Sequence, residues 1–218
     1  MKVKSLLVVC LSAFLLTSAA VSQAWTQLAS GGPPGRSRHC MAYDSLRDRV
    51  VMFGGRSGTS GSGMGDTWEW DNSSWVQVAS GGPAPRHGAS MAYDPTRGVT
   101  VLFGGEDGSN VFVDTWEWDG ATWSQVSSVP PSVTGLGCAM VFDPAGGQIL
   151  MLSVTSSASS TWAYDGNVWQ QIASQGPTGP YGVALVYDAA RGRPMAYTYP
   201  GVSVEWDGTA WVGSYFGG

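Results

Sequence analysis

The sequence predicts an all-β propeller of four blades, each an antiparallel sheet of four strands. Three observations carry this. Met41-Ala42-Tyr43-Asp44 returns as Met91-Ala92-Tyr93-Asp94, Met140-Val141-Phe142-Asp143 and Leu185-Val186-Tyr187-Asp188, with the aspartates 50, 49 and 45 residues apart. Self-similarity at a fixed period of this length marks a repeat architecture. Within each unit, apolar and aromatic residues fall in short runs bounded by Gly, Asp and Ser, which is the pattern of strands. Beyond the first 24 residues no stretch sustains a 3.6-residue apolar period, so nothing supports a helix.

The elements follow in order within each unit. Strand a is expected over His39 to Asp44, strand b over Arg49 to Gly54, strand c over Thr67 to Asp71 and strand d over Trp75 to Ala79. Strand b with its glycine pair, Val51-Met52-Phe53-Gly54-Gly55, recurs as Val101-Leu102-Phe103-Gly104-Gly105 and more loosely at Met151-Leu152-Ser153 and Met195-Ala196-Tyr197. Strand c recurs over residues 114–119, then more faintly at Thr161-Trp162-Ala163-Tyr164-Asp165 and Val204-Glu205-Trp206-Asp207. Alternation along it puts Trp68 and Trp70 on one face and Glu69 on the other. Asp119-Gly120, Asp165-Gly166 and Asp207-Gly208 open c–d turns, where glycine supplies the positive φ of a tight hairpin. Trp75, Trp123, Trp169 and Trp211 are the last landmarks of the four units, which run over about 25–75, 76–123, 124–169 and 170–218. Four antiparallel strands per period describe a propeller blade, whose aromatic faces are buried against neighbouring blades.

These residues resemble the kelch-repeat family. The likeness rests on Gly54-Gly55 and Gly104-Gly105 after strand b, the aromatic-Asp that ends strand a, and the strand-c tryptophan about a dozen residues past the glycines. It covers nearly all of residues 25–218. Units three and four depart from it, with Ser153-Val154 and Thr198-Tyr199 in place of the glycine pair. The resemblance implies a propeller whose loops bind ligands around a central channel; propellers of that family more often close with six or seven blades.

One segment is surplus. Trp25-Thr26-Gln27-Leu28-Ala29-Ser30-Gly31-Gly32-Pro33 nearly duplicates the stretch from Trp75 to Pro83, so a d-type strand precedes the first a, b and c. Trp25 to Ala29 is expected to act as an outer strand. Its natural partner is strand c of unit four, unless Trp211 to Tyr215 already holds that edge; the loser would add a fifth strand, cover a blade face or pair with a second molecule. A compact four-blade ring, a truncated product and an open arc completed by self-association all fit this count.

Residues 1–24 read as a secretory signal peptide. Lys2 and Lys4 form a basic start, Leu6 to Leu16 is apolar but shorter than the ~20 residues that span a bilayer, and Ser22-Gln23-Ala24 offers small residues at a cleavage site. The expectation is a secreted, periplasmic or extracellular protein with no membrane attachment after cleavage. Both lysines leave with that segment, so nine arginines face sixteen acids and the net charge becomes −7. Schiff-base and P-loop lysine chemistry is thereby excluded, and with no basic run a nucleic-acid partner is not expected. Cys10 leaves as well. Cys40 and Cys138 lie in non-neighbouring units on opposite faces of strand a, which favours two separate buried thiols over a bridge.

Arg36 and Arg86 align, both eight residues before the strand-a aspartate, where the later units carry Gly135 and Pro180. With Arg38 they make a candidate basic rim at the channel mouth, suited to a carboxylate or sulfated sugar. The competing assignment pairs each arginine with an aspartate or carbonyl of an adjacent blade. His39 and His87, the only histidines, share a parity on strand a and lack an obvious third metal ligand, so strand-entrance polarity accounts for them. Asp44, Asp94, Asp143 and Asp188, and Asp71, Asp119, Asp165 and Asp207, recur once per unit. That points to turn capping rather than catalysis. Glu69, Glu117 and Glu205 recur in the same way.

No nucleophile motif, metal cluster or phosphate loop stands out, so no catalytic residue, metal or cofactor is expected. The function expected is a non-catalytic binding or scaffold propeller that takes a glycan or protein at its loop face through Arg36, Arg38, His39, Arg86 and His87. The kelch resemblance also admits a galactose oxidase-like or sialic acid mutarotase-like enzyme. The first needs two His, two Tyr and a Cys around copper, a set too thin and scattered here. A fragment of a larger surface protein is the third reading.

Overall fold

The computed structural model describes residues 26–213, apart from 60, 127–130, 132, 134–136, 181 and 200. The expected signal segment and Trp25 therefore lie outside the described residues. Sixteen strands form four antiparallel four-stranded sheets with sequential order, β1-β2-β3-β4 through β13-β14-β15-β16. Blade 1 contains β1 (Cys40–Asp44), β2 (Arg49–Phe53), β3 (Thr67–Trp70) and β4 (Trp75–Ala79). Blade 2 contains β5 (Ser90–Asp94), β6 (Val99–Phe103), β7 (Thr115–Trp118) and β8 (Trp123–Val126). Blade 3 holds β9 (Cys138–Asp143), β10 (Gln148–Val154), β11 (Ser159–Tyr164) and β12 (Trp169–Ala173). Blade 4 holds β13 (Val183–Asp188), β14 (Arg193–Thr198), β15 (Val202–Trp206) and β16 (Trp211–Val212).

The recurring acids do what their spacing suggested. Asp44 Oδ1 accepts the N–H groups of Leu46 and Arg47 in the a–b turn, and Asp94 repeats this for Thr96 and Arg97. Asp71, Asp119, Asp165 and Asp207 each cap the c–d turn through N–H groups two and three residues on. Glu69 is buried and binds Arg47 through both oxygens, so it holds the blade together.

The core lies between the blades. Cys40, Val51 and Phe53 of blade 1 meet Met91, Leu102 and Trp118 of blade 2. Val101 and Phe103 of blade 2 meet Met140, Tyr164 and Trp169 of blade 3, and Leu152 and Val154 meet Ala196 and Val204 of blade 4. Each junction repeats one polar contact: the first tryptophan of an outer strand donates its indole N–H to a threonine on strand c of the preceding blade. The pairs are Trp123–Thr67 at 2.8 Å, Trp169–Thr115 at 2.9 Å and Trp211–Thr161 at 2.7 Å. A second contact joins strand c to strand c, from Trp118 Nε1 to Glu69 and from Tyr164 Oη to Glu117, 3.0 and 2.9 Å. The first contact occurs at all three junctions and the second at two, since Ala163 stands at the glutamate position of blade 3. Inner strands pack β1 on β5, β5 on β9 and β9 on β13, and β13 makes no comparable contact with β1. Among the described residues the stack is open between blades 4 and 1.

Three sequence expectations change. β1 and β5 begin one residue later than a start at His39 predicts, because the chain before each is engaged with loop backbone, whereas β9 and β13 begin at the equivalent position. In blade 3, where Ser153-Val154 replaces the glycine pair, β10 runs on to Val154 and pairs with Ser159 instead of breaking. Thr26 to Ala29, expected to be an outer strand, pairs with none, because β16 occupies the edge of β15 through Glu205–Val212 and Trp206–Trp211. The segment instead stands over the outer face of blade 1, where Leu28 and Ala29 line a groove with Met41, Val50, Trp70 and Trp75. Cys40 and Cys138 form no disulfide.

Candidate functional site

The loops after strand b meet the entrances to strand a on one face of the stack. The glycine pairs make this meeting close. Gly54 and Gly55 have φ of +67° and +101°, and a Cβ on Gly54 would sit 2.5 Å from the carbonyl oxygen of Arg86. Only glycine combines that backbone with that approach. The loop consequently pairs with two entrances. Ser37 and Arg56 exchange 2.9 Å hydrogen bonds within blade 1, while Gly55 N–H donates to Arg86 and the Arg86 N–H to Met64 across to blade 2. His87 and Glu106 repeat the first pairing in blade 2.

Arg36 and Arg86 occupy equivalent sockets. Arg36 sends two nitrogens to Asp66 at 2.7 and 2.9 Å and one to the Gly54 carbonyl at 3.0 Å. Arg86 binds Asp114 at 2.5 and 3.0 Å and the Gly104 carbonyl at 3.0 Å, with its guanidinium 3.9 Å from the Phe112 ring centre. Both side chains are buried, and their partners lie in their own blade rather than an adjacent one. Of the three arginines expected at the rim, only Arg38 reaches solvent. It crosses from blade 1 to an ion pair with Glu106 of blade 2 at 2.8 Å. His39 is exposed, and His87 is buried with Nδ1 3.6 Å from Glu106. Burial, then the charge of Arg38, lowers the His87 pKa, with Glu106 opposing, so the ring is neutral at pH 7.

Sequence reasoning missed Asp66, Asp114, Arg56 and Glu106. A signal for the first two existed: Arg, glycine pair and Asp occur together in units one and two and are lost together in three and four, where Ser160 and Val202 stand at the aspartate position.

Three buried polar atoms on this face have no hydrogen-bond partner among the described residues: Arg56 Nε, His87 Nδ1 and Ser159 Oγ. Ser159 lines a groove of about 430 Å³ with Val113, Val133, Ser153, Thr155 and Ser160. Among the described residues no three His, Cys, Asp or Glu side chains are grouped as a metal would need.

The acids here titrate low. Hydrogen bonds from Arg36 pull the Asp66 pKa down against burial; burial would raise Asp114, and the Arg86 and Trp116 hydrogen bonds outweigh it. A carboxyl group whose folded pKa is depressed stabilises the fold above its unfolded value and loses that contribution as pH falls through the folded value. Thermal melts are therefore expected to stay flat from about pH 8 to 5 and to drop below about pH 4. A midpoint that held constant to pH 2 would contradict these pairings.

Together the blades and their loop face define the class: a β-propeller of four blades. No family model matches the sequence, and no curated protein is significantly similar to it.

Proposed function

We propose that this is a secreted, non-catalytic binding propeller of kelch type that takes a glycan, or a sugar-like surface on a protein, at the loop face. The observation that supports this is the loop face itself, where Arg38 and His39 are exposed and Arg56 Nε, His87 Nδ1 and Ser159 Oγ have no hydrogen-bond partner among the described residues. Native proteins rarely leave such atoms unpaired, and an incoming hydroxyl or carboxylate would satisfy them. Arg38 and His39 are the exposed groups suited to an anionic substituent, while Arg36 and Arg86 hold the loops in place.

The test uses protein exported by an expressing cell, whose intact mass should place its first residue at Trp25. A screen of neutral, carboxylated and sulfated glycans is expected to give a hit that weakens about tenfold in Arg38→Ala, the range for one lost charge-assisted hydrogen bond. Retention of Met1 would remove the export reading. A screen with no hit, or a hit indifferent to Arg38→Ala, would remove the binding site.

A further inference from the structure

The two ends of the stack are the two halves of one junction. On blade 1 the outward face carries Met41, Tyr43, Trp70 and Trp75. Met41 and Tyr43 are 46% and 54% exposed, whereas Met91 and Tyr93, the same residues one repeat later, are 7% exposed beneath blade 1. Identical chemistry is covered once and left open once. On blade 4 the outward face carries Val186, Tyr197, Ser203 and Glu205. Tyr197 is 53% exposed, and its equivalents Phe53 and Phe103 are 1% and 0%.

The polar groups complement each other in the same way. By strand register Ser203 stands where Thr67, Thr115 and Thr161 stand, and Glu205 where Glu69 and Glu117 stand. The threonines accept an indole hydrogen from the next blade at all three internal junctions, and the glutamates an indole or phenol hydrogen at two. The matching donors are the indole N–H groups of Trp70 and Trp75, which have no acceptor among the described residues. β16 pairs with Glu205 and Trp206, and Gly213 continues it against Ser203 and Val204.

We infer that a second copy of this chain docks here, with blade 4 of one copy against blade 1 of the other. Trp75 then donates to Ser203 of the partner subunit and Trp70 to the partner subunit's Glu205, and the tryptophan ring covers the partner's Tyr197 as Trp123 covers Phe53 at 5.4 Å. The contact is heterologous, so two copies form a closed pair only if both junctions are made at once. An apolar face of this kind, rimmed by polar groups, is what association sites present.

Two single-face variants test it. Purified protein is expected to run as a dimer by light scattering, and Met41→Glu and Tyr197→Glu, both at exposed positions, to run as folded monomers. Mixing the two variants leaves one intact junction, blade 4 of Met41→Glu against blade 1 of Tyr197→Glu, so an equimolar mixture should recover a heterodimer. Tyr43→Lys and Val186→Glu serve in their place if either fails to fold. Monomeric unsubstituted protein, variants that still self-associate, or a mixture that stays monomeric would each overturn the inference; the first would leave these faces to a different protein. Glycan binding at the loop face is read separately, and its failure has no bearing on this result.

Discussion

Arg86→Ala is expected to cost about 3 kcal/mol, the lower end for breaking a buried ion pair from one side. The Arg86 side chain is 1% exposed and supplies two bonds to Asp114, one to the Gly104 carbonyl and one from Nε to the Ala84 carbonyl. Alanine removes all four bonds and the cation over Phe112, and leaves the Asp114 carboxylate without its guanidinium partner, still bound by the Trp116 indole N–H. In a domain of this size that corresponds to a fall of about 6–12 °C in melting temperature. Lysine should recover little, because a single ammonium cannot match the forked contact with Asp114. The loop of blade 1 also depends on this residue through its backbone, which alanine preserves, so the loss isolates the side chain. Thermal melts of the two variants decide it: an Arg86→Ala protein within 2 °C of the parent by roughly this scale would mean that the socket is filled by water at no cost.

Trp118→Ala is expected to cost about 4 kcal/mol, within the range for deleting a fully buried aromatic side chain. Trp118 is 1% exposed at the junction of blades 1 and 2, tilts against Trp123 at 5.5 Å between ring centres, and donates to Glu69. Its removal opens a cavity and takes one of the three donors to Glu69, leaving Arg47 to hold the buried carboxylate. Trp70 is its counterpart in blade 1 and provides an internal control. It faces the open end, so at high dilution Trp70→Ala should cost about 1 kcal/mol, as for a partly exposed side chain. Urea titrations of both variants measure the difference. Equal losses would show that blade 1 is covered in the monomer and that the stack is closed.

The contrast between Trp70 and Trp118 shows how much of the fold the sequence contained. Strand c has the same residues in both blades, Thr-Trp-Glu-Trp, so the alternation that sends Trp to one face and Glu to the other was legible from a period of two. The capping aspartates were legible too, because an Asp side chain reaches the N–H groups two and three residues on without help from elsewhere. The glycine pairs announced a special backbone, though not the reason for it, which is the carbonyl oxygen of Arg86 pressed against Gly54 from the next blade.

What the sequence determined by itself was everything local or repeated: strands, turns, blade order and which face of each strand is apolar. Tertiary structure alone decided which copy of a repeated face is covered. Met41 and Met91 sit in the same tetrapeptide, and nothing within either repeat distinguishes them; only the presence of a preceding blade does. It also decided the fate of the arginines, since a guanidinium reads as a ligand-binding group until Asp66 or Asp114, about thirty residues away, is seen to close on it. Side chains from distant segments compete for the same charge, and that competition is settled by packing, not by spacing along the chain.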